Sequence, residues 1–326
     1  VIQGKNGWLY YKDSLSDYLG TEPMSERALF NVAHTLSMMQ DYTEKSGAKF
    51  LFTIAPNKNT LYGENMPYDS MIVSEDKNMD RIEAYLEKEN VNYVNLKEIL
   101  ESSDEVLYHE RDSHWNNKGA ALAGDALMTA LDKEHTDYTQ ESYEECVDFT
   151  GDLDEMLYPL ALTEEKEIYY DKADVFAYVG EVESNFDPKI TTVNPGSTGS
   201  LVMYRDSFGN AILPFFANSY ANAYFSRGIP YQMTDLAEHQ ADTVIVERAE
   251  RFLPEMAEPP CAHHDPLRWS EQLWSRKWKK MHGAQSPQKC REIWLKSAVL
   301  WMRQFWIRIP GSRFAEMGAI PLKHFR

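Results

Sequence analysis

The chain has 326 residues, 43% of them hydrophobic and 26% charged, and a net charge of -18. That length buries a large core, while the acidic balance argues against nucleic acid, whose recognition rests on neutralising phosphates with Lys and Arg. No run reaches about 18 uncharged apolar residues, so no segment here spans a membrane, and three cysteines make no disulfide framework. The charge is uneven: residues 259–326 hold 13 Lys+Arg against 4 Asp+Glu and six of the eight tryptophans, leaving 20 against 47 before them. Composition therefore divides the chain into an acidic body, 1–258, and a basic Trp-rich tail, 259–326.

Gly4-Lys5-Asn6-Gly7 is a turn signal leading into an aromatic strand at Trp8 to Tyr11. Ser25 is placed as the N-cap of a long helix with Leu29, Val32, Leu36, Met39 and Tyr42 at three-to-four spacing, ended by Gly47. A buried strand from Lys49 to Ala55 closes at Pro56. A helical pattern through Asp80, Ile82, Tyr85 and Leu86 precedes a strand from Val91 to Leu96. Asn116 to Leu131 reads as an Ala-rich helix. Residues 137–199 are less regular, with short Tyr-rich strands and a Pro/Gly loop at Asn194 to Ser197, and read as an insertion or sub-layer. Order returns with a strand from Ser200 to Tyr204, a helix after Ser207 and a last strand from Thr243 to Val246. Strand alternating with helix at this length predicts an α/β fold, a mainly parallel sheet with helices on both faces.

Two segments carry chemistry. Asp112-Ser113-His114-Trp115 puts a carboxylate two residues from an imidazole. In Arg205-Asp206-Ser207-Phe208-Gly209 a serine stands where a strand gives way to a helix, at the carboxyl edge of the sheet where ligands bind. A carboxylate to orient, an imidazole to take a proton and a hydroxyl to attack are the parts of acyl transfer. Taken singly, His114 also fits a loop histidine and Ser207 an N-cap. His109, Glu110, Asp112 and His114 raise the question of a metal. The histidines are five apart rather than the four of a helical His-Glu-x-x-His site, and alternation sends His109 away from Asp112 and His114, so no metal is expected.

Gly4 to Tyr10, Pro56-Asn57-Lys58 with Tyr62 and Pro67 beyond, Asp112 to Trp115, Arg205 to Gly209 and Val246-Glu247-Arg248-Ala249-Glu250-Arg251 occur in this order. Together they resemble the alginate O-acetyltransferase family of SGNH-hydrolase-type folds, including its DHHW branch, over about residues 1–254. The resemblance implies a three-layer sandwich with the catalytic motifs in permuted order, the Asp-x-His pair preceding the serine. It implies Ser207 as nucleophile, His114 as base and Asp112 as orienter, with no cofactor. It further implies an extracytoplasmic enzyme that acetylates hydroxyls of an exported or cell-wall polysaccharide. The acetyl group would be supplied by a membrane-bound O-acyltransferase, and anchoring would come from an N-terminal segment absent from this chain, which starts at Val1. An acetyl esterase and a non-catalytic polysaccharide-binding protein of the same fold are the alternatives. The family's usual serine-block glycine is Arg205 here.

The Ser207 amide and a second donor are expected to hold the oxyanion. Asn57, Arg205 and Arg248 are candidates for that donor or for substrate contact, and each also fits a local structural role. Trp115 and Tyr204 have either a sugar ring or the core to stack on. In the tail, Trp294, Trp301, Phe305 and Trp306 interleave with Lys296, Arg303 and Arg308. That pattern fits either a helix on an anionic membrane surface or a segment unrelated to the domain.

Overall fold

The computed structural model describes residues 1–171, 175–257 and 262–263. Its centre is a seven-stranded sheet built from β1 (Lys49–Ala55), β2 (Tyr93–Val94), β3 (Ala177–Tyr178), β4 (Lys189–Val193), β5 (Thr198–Tyr204), β6 (Tyr220–Ser226) and β7 (Thr243–Ala249), in the order β2-β1-β7-β5-β6-β4-β3. The pairs from β2 through β6 are parallel; β4 is antiparallel to both of its neighbours. The expected mainly parallel α/β sandwich is the observed one.

Alternation along these strands builds two cores. Phe50, Phe52 and Ile54 of β1, Val202 and Tyr204 of β5, and Val244 and Val246 of β7 face one layer, with α1 (Glu26–Lys45) and α2 (Asn78–Lys88). Leu51, Leu201, Met203 and Ile245 face the other, against α3 (Leu96–Glu101), α4 (Asn117–Ala130) and α5 (Gly209–Ser219). A strand buried on both sides needs apolar residues at every position, which is why β1 and β7 read as continuous hydrophobic runs.

Local signals act where the sequence puts them. Ser25 Oγ accepts from the Ala28 amide and Asn116 Oδ1 from Gly119, each satisfying an otherwise orphaned donor of the first turn. Gly47 takes φ +84° at the end of α1. Two differences have physical reasons. The strand expected from Val91 to Leu96 pairs only at Tyr93 and Val94, because Asn95 caps α3 and turns the chain into a helix. Within residues 137–199, β3 and β4 complete the central sheet. Among the described residues, the hairpin Tyr143–Thr150/Glu164–Tyr170, the short helix Asp152–Leu157 and a 3-10 turn at Tyr138–Gln140 stand outside it. The tail from residue 259 lies, apart from Ala262 and His263, outside the described residues.

Candidate active site

Three parallel strands deliver their next residues to one edge: β1 runs into Asn57 and Lys58, β5 into Asp206 and Ser207, and β7 into Glu250 and Arg251. The fourth contribution is the loop 109–114, pinched at its base by a bridge between Tyr108 and Trp115. Ninety-three residues apart in sequence, His114 and Ser207 meet there. His114 Nε2 lies 2.8 Å from Ser207 Oγ, and His114 Nδ1 lies 2.8 Å from Asp112 Oδ1. With a carboxylate on Nδ1, that nitrogen carries the proton and Nε2 is left to accept one from the serine. His114 and Ser207 are half-buried while Asp112 is buried, so the orienting carboxylate is shielded and the reacting pair is open. Burial acts to raise Asp112. The hydrogen bond and charge of His114, with amide donors from Asp152 and His114, outweigh it and hold the carboxyl well below its usual range.

The serine is aimed by its neighbours. Asp206 accepts from the Phe208 amide at 3.0 Å with one oxygen and from the Ala249 amide at 2.7 Å with the other, tying the nucleophile's segment to the end of β7. Its own amide donates to Glu247 at 2.9 Å. Burial and then the Asp206 carboxylate push Glu247 well above the ordinary carboxylate range. Gly209 is required by crowding: a Cβ there would stand 2.6 Å from Arg205 Cβ.

The imidazole loop is braced from beneath by Lys58. Its buried Nζ donates to the carbonyls of His109 (3.0 Å), Glu110 (2.9 Å) and Asp112 (2.5 Å), and sits over the rings of Trp8 and Tyr10. Burial lowers Lys58 to about 7, opposed by the charges of Asp112 and Glu165. Three acceptors match the three N–H bonds of an ammonium, so the site is built for the charged form.

The remaining sequence candidates already have partners in the fold. Asn57 is buried, its Nδ2 donating to Asp17 (3.0 Å) and its amide to Glu250 (2.8 Å). Arg205 is buried with its guanidinium spent on Asn210 and the carbonyls of Asp206, Asn185 and Asp187. Arg248 is buried, lies over Phe252 and pairs with Glu255 at 2.6 Å. Trp115 is only 2% exposed and donates its indole N–H to Phe208 O, so it packs the loop rather than stacking on a sugar; Tyr204 is likewise buried. Each has partners in this arrangement that cost free energy to leave unpaired, though the Nε atoms of Arg205 and Arg248 have none among the described residues. His109 is turned to Glu167 at 3.0 Å and stacked on Phe149, anchoring the hairpin.

Sequence reading missed Asp152, Arg251 and the bracing role of Lys58. Asp152 was hidden in the stretch read as an insertion; a Gly-Asp pair opening a helix was its only signal. Arg251 is half-buried over the rings of Tyr11, Phe208 and Phe252, with an Nε that has no partner. It stands far from the nucleophile in sequence but against its neighbour Phe208 in space.

Glu250 supplies a pH test of this edge. Its Oε2 accepts from the Asn57 amide and from Thr60 Oγ1 (2.6 Å), and burial with the Asp17 charge raises it from 4.5 to about 7. Between those values the folded chain holds a proton that the unfolded chain has released, so stability falls as pH rises through the window. Glu250→Gln lacks this decline. Its stability relative to wild type should rise by about 2–3 kcal/mol from pH 4.5 to 7, read from urea unfolding at the two pH values.

A family model described as an SGNH hydrolase-like domain, acetyltransferase AlgX, matches residues 1–180. Among solved structures, the chain is similar to a DHHW family protein from Eubacterium siraeum DSM 15702 (17% identity, TM-score 0.55, 70% of this chain and 88% of that one). It is also similar to Bacillus cereus PatB1 (15% identity, TM-score 0.58, 79% and 99%). The O-acetyltransferase domain of Pseudomonas putida AlgJ gives 16% identity, a TM-score of 0.52 and coverage of 85% and 97%. At these identities the structures speak to the fold, which is SGNH-hydrolase-like. No curated protein sequence matches the chain.

Proposed function

The chain belongs to the family of SGNH hydrolase-like acetyltransferase domains that includes AlgX, and from that premise we propose that it moves an acetyl group onto hydroxyls of an exported or cell-wall polysaccharide through an acetyl-serine at Ser207. The observation that carries the mechanism is the continuous path Asp112 Oδ1 to His114 Nδ1 and His114 Nε2 to Ser207 Oγ, 2.8 Å at each step.

In the first half-reaction the Ser207 O–H proton passes to His114 Nε2 as Oγ bonds to the acetyl carbonyl carbon. Asp112 holds the imidazolium so formed. Collapse of the tetrahedral intermediate breaks the bond to the donor's leaving group, which takes the proton from His114. In the second half a sugar hydroxyl gives its proton to His114 and its oxygen bonds to the acetyl carbon. The Ser207 Oγ–carbon bond breaks, and Ser207 recovers the proton. The residues need no metal or cofactor for these steps. The oxyanion rests on the Ser207 amide, with Arg205, Arg248 and the half-buried Arg251, which lies against Phe208, as the cationic side chains near that edge.

The same reading puts the enzyme outside the cytoplasmic membrane, with its acetyl donor supplied by a membrane-bound O-acyltransferase. Among the described residues no helix is long and apolar enough to cross a membrane. Incubation with p-nitrophenyl acetate and acetyl-free oligosaccharides should give O-acetylated sugars by mass spectrometry. Release of acetate alone, even with sugar in excess, would overturn the transferase reading in favour of an esterase.

A further inference from the structure

A second carboxylate grips the catalytic loop that Lys58 braces. Asp152 Oδ1 accepts from the Ser113 amide at 2.8 Å and Oδ2 from Ser113 Oγ at 2.6 Å, while the Asp152 amide donates to Asp112 Oδ2 at 2.7 Å. One residue thus binds the orienting carboxylate through its backbone and the residue between Asp112 and His114 through its side chain. The commonplace role of an aspartate in the first turn of a helix is to accept from that helix's own amides. Here both oxygens are given to Ser113 instead. The docking is close enough to need glycine beside it: a Cβ on Gly151 would lie 2.2 Å from Arg111 O and 2.8 Å from the Asp112 amide. Asp154 repeats the grip two residues on, its amide donating to Arg111 O at 3.2 Å and its carboxylate accepting from Arg111 Nε at 2.9 Å.

The charge is also placed. Asp152 Oδ2 stands 3.8 Å from His114 Nδ1, behind Asp112 Oδ1 at 2.8 Å, and Ser113 Oγ lies 3.3 Å from the same nitrogen. The imidazole therefore has two carboxylates on its Nδ1 side and the serine on its Nε2 side. Burial and the Asp112 charge raise Asp152, and the charge of His114 with the Ser113 hydrogen bonds offsets part of that.

We propose that Asp152 is a positioning residue for the acyl-transfer machinery, fixing the angle of the Asp112–His114 pair and adding a second negative charge behind the imidazolium. This rests on the Ser207–His114 reading above, and the test separates the two. The probes are a serine-directed fluorophosphonate and p-nitrophenyl acetate. Asp152→Asn keeps the shape and the amide bond to Asp112 but removes the charge, and should lower kcat about 10-fold. Asp152→Ala loses the Ser113 contacts as well and should lower it about 100-fold, because misplacing a catalytic group by about an ångström costs on that order. KM should stay within about twofold in both. Ser113→Ala, which keeps the Asp152 charge, should fall between wild type and Asp152→Ala and guards against a misfolded alanine variant.

Labelling of wild type with slowed labelling of Asp152→Asn supports the proposal. Equal labelling rates, or a raised KM with unchanged kcat, overturn it alone. No labelling of wild type removes the nucleophile reading and the proposal with it.

Discussion

Ser207→Ala is expected to lower kcat/KM for p-nitrophenyl acetate by at least about 10⁴-fold while leaving the urea unfolding curve almost unchanged. The size follows from what one atom does in this arrangement. Oγ forms the bond to carbon, and without it His114 and Asp112 have no proton to move, so triad members fail together rather than in proportion. The stability side follows from the serine's surroundings. Ser207 is half-buried, its Oγ is bonded among the described residues to His114 alone, and the segment around it is held by Asp206, Glu247 and Gly209 rather than by the hydroxyl. Kinetics and unfolding on the same preparation check both halves.

Lys58→Met should be costly in both respects. The methionine fills the space of the lysine stem but leaves the carbonyls of His109 and Asp112 facing a thioether in a buried place, while the Glu110 carbonyl keeps the Leu9 amide. Each unsatisfied buried acceptor costs about 1–3 kcal/mol, and the contact with the Trp8 and Tyr10 rings goes too. Relief of the buried ammonium's own desolvation offsets part of this. A net loss of about 3–5 kcal/mol is expected in urea unfolding. A fall in kcat of about 10²-fold or more should accompany it, since the Asp112 backbone loses its anchor. A variant as stable and as active as wild type would remove Lys58 from its bracing role.

Much of the scaffold was legible because its signals are local. Doubly buried strands announce themselves as unbroken apolar runs, so β1 and β7 were found, and Ser25 and Asn116 mark helix starts that the structure keeps. Where a two-residue pairing is followed at once by a cap, as at Tyr93–Val94 and Asn95, periodicity overran the strand into a helix. In the middle of the chain, β3 and β4 are short and half exposed, so their membership in the central sheet had no sequence signature.

At the site, the types of residue named their chemistry, and the order of motifs named their partners. Position along the chain did not say which polar side chains would be used up on the way. Arg205, Arg248 and Asn57 stand beside the right motifs, yet each is consumed by a neighbour that only the fold supplies: the carbonyls of Asn185 and Asp187, Glu255, and Asp17. Asp152 shows the converse. It lies forty residues past Asp112, separated from it by the whole of α4, and only tertiary docking makes it a partner.

The central claim is that Ser207 itself carries the acetyl group between donor and acceptor. Rapid acid quenching of wild-type protein with excess p-nitrophenyl acetate, followed by proteolysis and peptide mass mapping, reads this directly. An acetyl group on Ser207, absent from the Ser207→Ala protein and lost on adding an oligosaccharide acceptor, is the predicted result. Turnover without any acetylated Ser207 peptide, or with the group on another residue, would contradict it.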